Sequence, residues 1–173
     1  MLRLIEPCAA YLPSYTEAYD EYSLLPRRSG NPYRDPREGD LLSHIRSMHE
    51  GTNLPEGWVS ATTLWLVDDM ACRFLGEVDI RHRLTDSLLR YGGHIGYAIR
   101  LGEWNKGYGT LMLRLALPCA KTLGITRCLI TCDDDNPGSA RVMEKNGFTL
   151  GDKMPNVIDG QDIITRRYWK NLD

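Results

Sequence analysis

The chain has 173 residues, 42% of them hydrophobic and 25% charged, with a formal net charge of −2 at pH 7. That composition describes one globular domain with a sizeable core, which needs neither disulfide nor metal to hold it. The slightly acidic balance, without a run of five basic residues, excludes a general nucleic-acid binder.

Leu2 to Ile5 reads as a short first strand stopped by Pro7, and no long apolar stretch follows, so neither a signal peptide nor a membrane span is expected. Tyr15 to Leu24 has helical character, and Pro26 to Pro36 reads as a loop. Ile45 and Met48 lie one turn after Leu41 and Leu42, which predicts a second helix over Pro36 to Glu50. Ala61 to Val67 and Arg73 to His82 read as a hairpin around Asp68-Asp69, followed by a loop from Asp86 to Gly93 and a strand from His94 to Arg100. Thr110 to Leu123 reads as a helix capped by Gly124, with Pro118 expected to kink it or remove a hydrogen bond. Arg127 to Thr131 is an apolar strand. Asn136 suits the N-cap of a short helix from Pro137 to Asn146, which Gly147 ends. Phe148 to Leu150 and Ile163 to Trp169 read as the last two strands. The five cysteines are odd in number and form no CxxC pair, so free thiols in a reducing cytoplasm are expected and a zinc site is not.

The segment Asn105-Lys106-Gly107-Tyr108-Gly109-Thr110 joins a strand to a helix. Its glycines permit a tight turn and close approach of a ligand. The amides that open the helix lack partners within it and carry the positive end of its dipole, which makes an anion site, and Lys106 adds a charge beside them. By itself the turn fits equally well an ordinary strand-to-helix connection. A second signal follows about thirty residues later, in Asn136-Pro137-Gly138-Ser139-Ala140-Arg141-Val142-Met143-Glu144-Lys145-Asn146-Gly147-Phe148.

With both motifs in this order, behind Gly96-Tyr97-Ala98-Ile99-Arg100, the chain resembles the GNAT acetyltransferase superfamily, which transfers acetyl from acetyl-coenzyme A, usually to an amine. It looks most like a bacterial branch of predicted acetyltransferases, on Trp65 to Asp69, Ile80 to Leu84, Gly92 to Tyr97, Ile158-Asp159-Gly160 and Arg166 to Trp169. The resemblance implies a single α/β (α+β) domain over residues 1–173, with a mixed, mostly antiparallel central sheet flanked by helices. Residues 1–60 would supply the N-terminal strand and acceptor-side helices, 61–150 the cofactor-binding core, and 151–173 the C-terminal strands. It implies a cytoplasmic, acetyl-CoA-dependent N-acetyltransferase working by direct attack, without metal. The acceptor would be a small-molecule or peptide amine; dimers are common in the superfamily, so a homodimer stays open.

Roles carry over residue by residue. The main chain of Ile99, Arg100 and Leu101 would pair with the pantetheine arm, and an amide near Ile99 or Arg100 would hold the acetyl carbonyl. Amides of Asn105, Lys106, Gly107, Tyr108, Gly109 and Thr110 would hold the pyrophosphate, with Asn136 and Ser139 near the sulfur. Two positions depart from the family's pattern. Trp104 stands where many members carry Arg or Gln, and Met143 where many carry the tyrosine that reprotonates the thiolate; Ser139 is the substitute donor or simply a first-turn residue. These departures keep open a non-catalytic module that binds or senses acyl-CoA.

Acetylating an amine requires a base to free its lone pair. Glu77 and Asp79 alternate along the strand before the cofactor strand, so one face of that strand offers carboxylates either to an acceptor cleft or to solvent. His82 ends that strand and His94 begins the next; in antiparallel neighbours they would lie close together, and histidine titrates in the useful range. His44 and His49 are expected to face solvent, and Asp133, Asp134 and Asp135 to be turn residues or a cation site. Tyr15, Tyr19 and Tyr22 share one helical face, as core or as a wall of the acceptor site.

Overall fold

Two antiparallel sheets form the centre of the computed structural model, which describes residues 1–25, 30–158 and 160–172. The first orders its strands β1 (Leu2–Ile5), β2 (Ala61–Asp68), β3 (Arg73–Arg81) and β4 (Ile95–Ile99). The second orders them β5 (Arg127–Asp133), β7 (Gln161–Asn171) and β6 (Thr149–Ile158). Helices α1 (Leu12–Ser23) and α2 (Leu41–Glu50) precede β2, α3 (Tyr108–Thr122) joins β4 to β5, and α4 (Pro137–Lys145) joins β5 to β6. Helices therefore flank antiparallel sheets, and the expected single sheet is divided in two. Residues 26–29 of the expected Pro26 to Pro36 loop, and Asp159, lie outside the described residues. No helix among the described residues is long and apolar enough to cross a membrane.

Period-two alternation gives the first sheet two buried faces. One carries Leu64, Leu66, Val78 and Ile80, which pack with Met112, Leu113 and Met143 of α3 and α4. The other carries Trp65 and Phe74 against α1, whose Tyr15, Ala18 and Tyr22 point inward at helical spacing. Tyr15 stacks on Trp65 with ring centroids 4.8 Å apart, so the N-terminal tyrosines serve mainly as core.

Several boundaries differ from expectation for identifiable reasons. Helix α1 opens three residues early because Pro13 fits its first turn. Helix α2 opens only at Leu41, where the Asp40 carboxylate accepts the Ser43 amide at 3.0 Å. The last hairpin is much longer than Phe148 to Leu150 and Ile163 to Trp169 suggested: β6 runs through Pro155, which an edge strand tolerates, and passes a bulge between Leu150 and Asp152.

The two sheets touch where His94 N donates to Leu129 O at 2.7 Å and Leu129 N donates to His94 Nδ1 at 3.0 Å. Gly93 lies against this contact with φ +68°, and a Cβ there would come within 2.7 Å of the Leu129 carbonyl oxygen, so only glycine fits. Among the described residues no ladder joins β4 to β5, which leaves β4 with an open edge.

Arg100, just past β4, is 5% exposed and ties α1 to the sheet: its guanidinium donates to Glu17 and Glu21 at 2.9 and 2.8 Å and to Ser14 Oγ at 3.0 Å. Arg100→Ala is expected to destabilise the fold by ~2 kcal/mol, below the full cost of breaking a buried pair because Glu17 is largely exposed. Thermal melting with and without the substitution measures it.

Candidate active site

The β3–β4 register, with Arg81 N donating to His94 O and Arg100 N to Leu75 O, fixes which β4 groups are spoken for. Alternation along an antiparallel strand then turns the peptide groups of Ile95, Tyr97 and Ile99 to the open edge. The Ile99 carbonyl is already capped, by Tyr22 Oη at 2.6 Å and by the Trp104 indole N–H at 2.9 Å. Arg100 is thereby corrected as a cofactor residue, because its amide belongs to the ladder and its side chain to α1. Trp104 closes off a backbone acceptor where a phosphate-binding side chain is common. Leu101 opens a 3-10 turn through Glu103.

Beyond that turn the chain reaches α3 through Asn105 at φ 62° and Gly107 at φ 83°. Gly107 is the N-cap of α3 and provides no side-chain oxygen, so among the described residues no side-chain cap engages the first amides of the helix, those of Tyr108, Gly109 and Thr110. Gly109 also lets α4 close in, since a Cβ there would lie 3.2 Å from Val142 Cγ2. This cradle suits a pyrophosphate. The Lys106 ammonium donates to the buried Glu103 carboxylate at 2.9 Å and to the Gly102 carbonyl at 3.1 Å, so its side chain braces the turn.

On the α1/α2 side of β3 lies a cavity of about 470 Å³. Glu77 and Asp79 project into it from adjacent positions on one face of β3, with Arg81 following. Trp65 Nε1 donates to Glu77 at 2.8 Å and Thr63 Oγ1 to Asp79 at 2.5 Å, which leaves each carboxylate one oxygen without a hydrogen-bond partner among the described residues. Among the described residues no cation lies within ion-pair distance of either. Burial and then the neighbouring Asp79 charge hold Glu77 well above the usual carboxylate range, and burial raises Asp79 as well. In the register Glu77 pairs with Ala98 and Asp79 with Gly96, so both stand one strand away from the open edge.

The histidines resolve differently from expectation. Arg81 sits opposite His94, so His82 and His94 are close along the backbone, but their rings take different partners. His82 Nε2 shares Thr62 Oγ1, at 2.8 Å, with His49 Nδ1 on α2, and it does not line the cavity. His94 is committed to Leu129, and a base role is removed by that bond. His94→Ala is expected to cost ~1–3 kcal/mol by leaving the buried Leu129 amide unpaired. Its kcat–pH profile should match that of the unsubstituted protein, whereas a catalytic His94 would change it. His44, expected at the surface, lines the cavity one turn along α2 from Leu41, and burial followed by the charge of Arg34 lowers its pKa. The spacing of Leu41, His44, Ile45 and Met48 was the available signal.

On the other side of β4, Tyr97 reaches across to α4, its hydroxyl 2.8 Å from Ser139 Oγ. Burial pushes the Tyr97 hydroxyl up to about 12, so it stays protonated. Asn136 caps α4 through the Ser139 amide at 3.0 Å, and Met143 is core. Asp134 is tied to Arg166 and Lys153, at 2.5 and 2.7 Å, as a turn residue of the second sheet. Tyr97 is the site residue that strand alternation alone did not single out.

The family model for an acetyltransferase (GNAT) domain matches residues 13–149. No curated protein matches the chain by sequence. Among solved structures, yncA of Salmonella typhimurium, with its cofactor acetyl-CoA, superposes with a TM-score of 0.67 at 17% identity, over 99% of this chain and 94% of that one. RimL, a ribosomal L7/L12 alpha-N-protein acetyltransferase in complex with coenzyme A, gives 0.69 at 17% identity, over 98% and 93%. A spermidine N-acetyltransferase SpeG chimera from Vibrio cholerae and hSSAT gives 0.66 at 16% identity, over 99% and 96%.

Proposed function

The chain belongs to the GNAT acetyltransferase family, and from that premise we propose that it moves the acetyl group of acetyl-CoA to an amine by direct attack, with residues 1–173 acting as one domain. Bound acetyl-CoA supplies an activated thioester. The Tyr108, Gly109 and Thr110 amides hold its pyrophosphate, and the open edge at Tyr97 and Ile99 pairs with its arm as an added strand. A free amide on that edge is the donor available to the acetyl oxygen, a contact worth about 3 kcal/mol when well placed.

Glu77 and Asp79 attract the acceptor's ammonium and take its proton, so that the neutral amine attacks. Ser139, hydrogen-bonded to Tyr97, returns a proton to the leaving sulfur; the substituted Met143 position needs no further donor. The observation that carries this reading is the carboxylate pair, buried, without an ion pair at contact distance among the described residues, and open on a cavity one strand from the β4 edge. Amine acceptors are also what the names of RimL and SpeG state for those proteins.

The test is calorimetric titration of acetyl-CoA into purified protein, followed by a thiol-release screen of primary amines. Micromolar binding with amine-dependent thiol release is the expected result. No binding at high micromolar acetyl-CoA would overturn the reading, and binding without turnover of any amine would assign the chain as an acyl-CoA-binding module. Ser139→Ala is expected to lower kcat by ~10-fold, less than general-base loss, because a thiolate is a fair leaving group unaided. The kcat ratio under saturating amine measures it.

A further inference from the structure

The walls of the acceptor cavity carry both signs of charge. Glu77 and Asp79 lie on its β3 side, with Arg81 beside Asp79 but donating through its Nη1 to the Gly92 and Gly93 carbonyls at 2.9 and 3.1 Å. Arg34 stands at another wall with its guanidinium exposed and, among the described residues, without a carboxylate at ion-pair distance. Its backbone is fixed rather than free: Arg34 N donates to Tyr15 Oη at 3.1 Å, and Tyr15 Oη donates to Arg34 O at 3.2 Å. The same Tyr15 hydroxyl feels Glu77, Asp79 and Arg34, so the opposed charges meet across one side chain. Between them α2 presents Leu41, Ile45 and Met48.

We propose that the acceptor is a small amino acid with an apolar side chain, its ammonium held by Glu77 and Asp79 and its carboxylate by Arg34. This rests on the acetyltransferase reading and names the substrate class of that site. A cavity of about 470 Å³ holds a molecule of this size with its apolar part against α2. A polyamine would bring a second ammonium toward Arg34, where like charges repel. A peptide N-terminus has an amide in place of the carboxylate and would leave Arg34 without a partner.

The step balances simply. The acceptor nitrogen, having lost a proton to the carboxylate pair, bonds to the acetyl carbon. As the carbon–sulfur bond breaks the nitrogen gives up its second proton, and Ser139 passes one proton to the sulfur and takes that one back, so coenzyme A leaves as thiol and the first proton goes from the carboxylate pair to solvent.

The experiment measures kcat/KM by thiol release for L-leucine, L-methionine and L-phenylalanine, for their amides, for 3-methylbutylamine and for spermidine. It uses the full chain and its Arg34→Gln variant, with acetyl-CoA binding checked separately by calorimetry. The expected result is a preference of ~10-fold or more for at least one free amino acid over its amide, and over 3-methylbutylamine and spermidine. Arg34→Gln should bring that acid-to-amide ratio to about one. Equal or better turnover of the amides or of spermidine would overturn the proposal, as would a ratio unchanged by Arg34→Gln. So would acetyl-CoA binding with no amino acid acetylated. Failure to bind acetyl-CoA would instead overturn the acetyltransferase reading beneath it.

Discussion

Glu77→Gln is expected to lower kcat by ~10²–10³-fold with any amine the protein accepts, and to remove the acidic limb of its pH–rate profile. The side chain keeps its shape, and the Gln carbonyl can still accept from Trp65 Nε1, so loss of the proton acceptor is the change read. In the unsubstituted protein Glu77 is useful only as a carboxylate, and burial with Asp79 beside it raises its pKa. Activity should therefore climb as pH rises through that raised value. Asp79→Asn removes the neighbouring charge, and should shift the limb to lower pH. A Glu77→Gln variant with full activity would eliminate Glu77 as the base.

The same shift has a stability consequence of known sign. A group whose folded pKa lies above its unfolded value adds stability that is full below the unfolded pKa and is lost as pH rises through the folded one. Gln never ionises. The Glu77→Gln protein should therefore melt above the unsubstituted protein at about pH 9, and the gap should close toward about pH 5. Differential scanning calorimetry across that range measures both ends.

Gly107→Glu is expected to weaken coenzyme A binding by ~100-fold or more, because like charges forced together cost several kcal/mol. Among the described residues nothing lies within 4 Å of a Cβ at this position, so the new side chain meets no wall at its root, and the positive φ costs ~1–2 kcal/mol of strain. Gly107→Ala carries the same strain without the charge. Calorimetric titration of the two variants separates the effects: a loss confined to Glu identifies the α3 amides as the pyrophosphate cradle. Equal losses would reduce Gly107 to a turn residue.

How far each feature could be read in the sequence follows the range of the interaction behind it. The Asn105 to Thr110 turn, the Asn136 cap and the shared face of Tyr15 and Tyr22 depend on neighbours within two helical turns, and their residue types state them directly, although Tyr19, read onto the same face, is only partly buried. The alternation of Glu77, Val78, Asp79 and Ile80 likewise gives a common face to the two carboxylates, but not which face is the cavity. The length of β6 was hidden because Gly151 and Pro155 read locally as breakers; an edge position and a bulge, both set by β7, make them acceptable.

By itself, then, the chain determined its family pattern, its order of elements and the anion-binding turn, since these rest on local backbone chemistry. Only the tertiary structure decided what each ionisable side chain does. Lys106 found Glu103, Arg100 found Glu17 and Glu21, and His94 found Leu129, up to 83 residues away in the chain. Glu77 found Trp65 and Asp79 found Thr63, with Arg81 near Asp79 but, among the described residues, no ion pair at contact distance. The physical reason is that the role of a charge is set by its desolvation and by the partner within a few ångströms, and both are properties of the packed fold rather than of neighbouring residues in sequence.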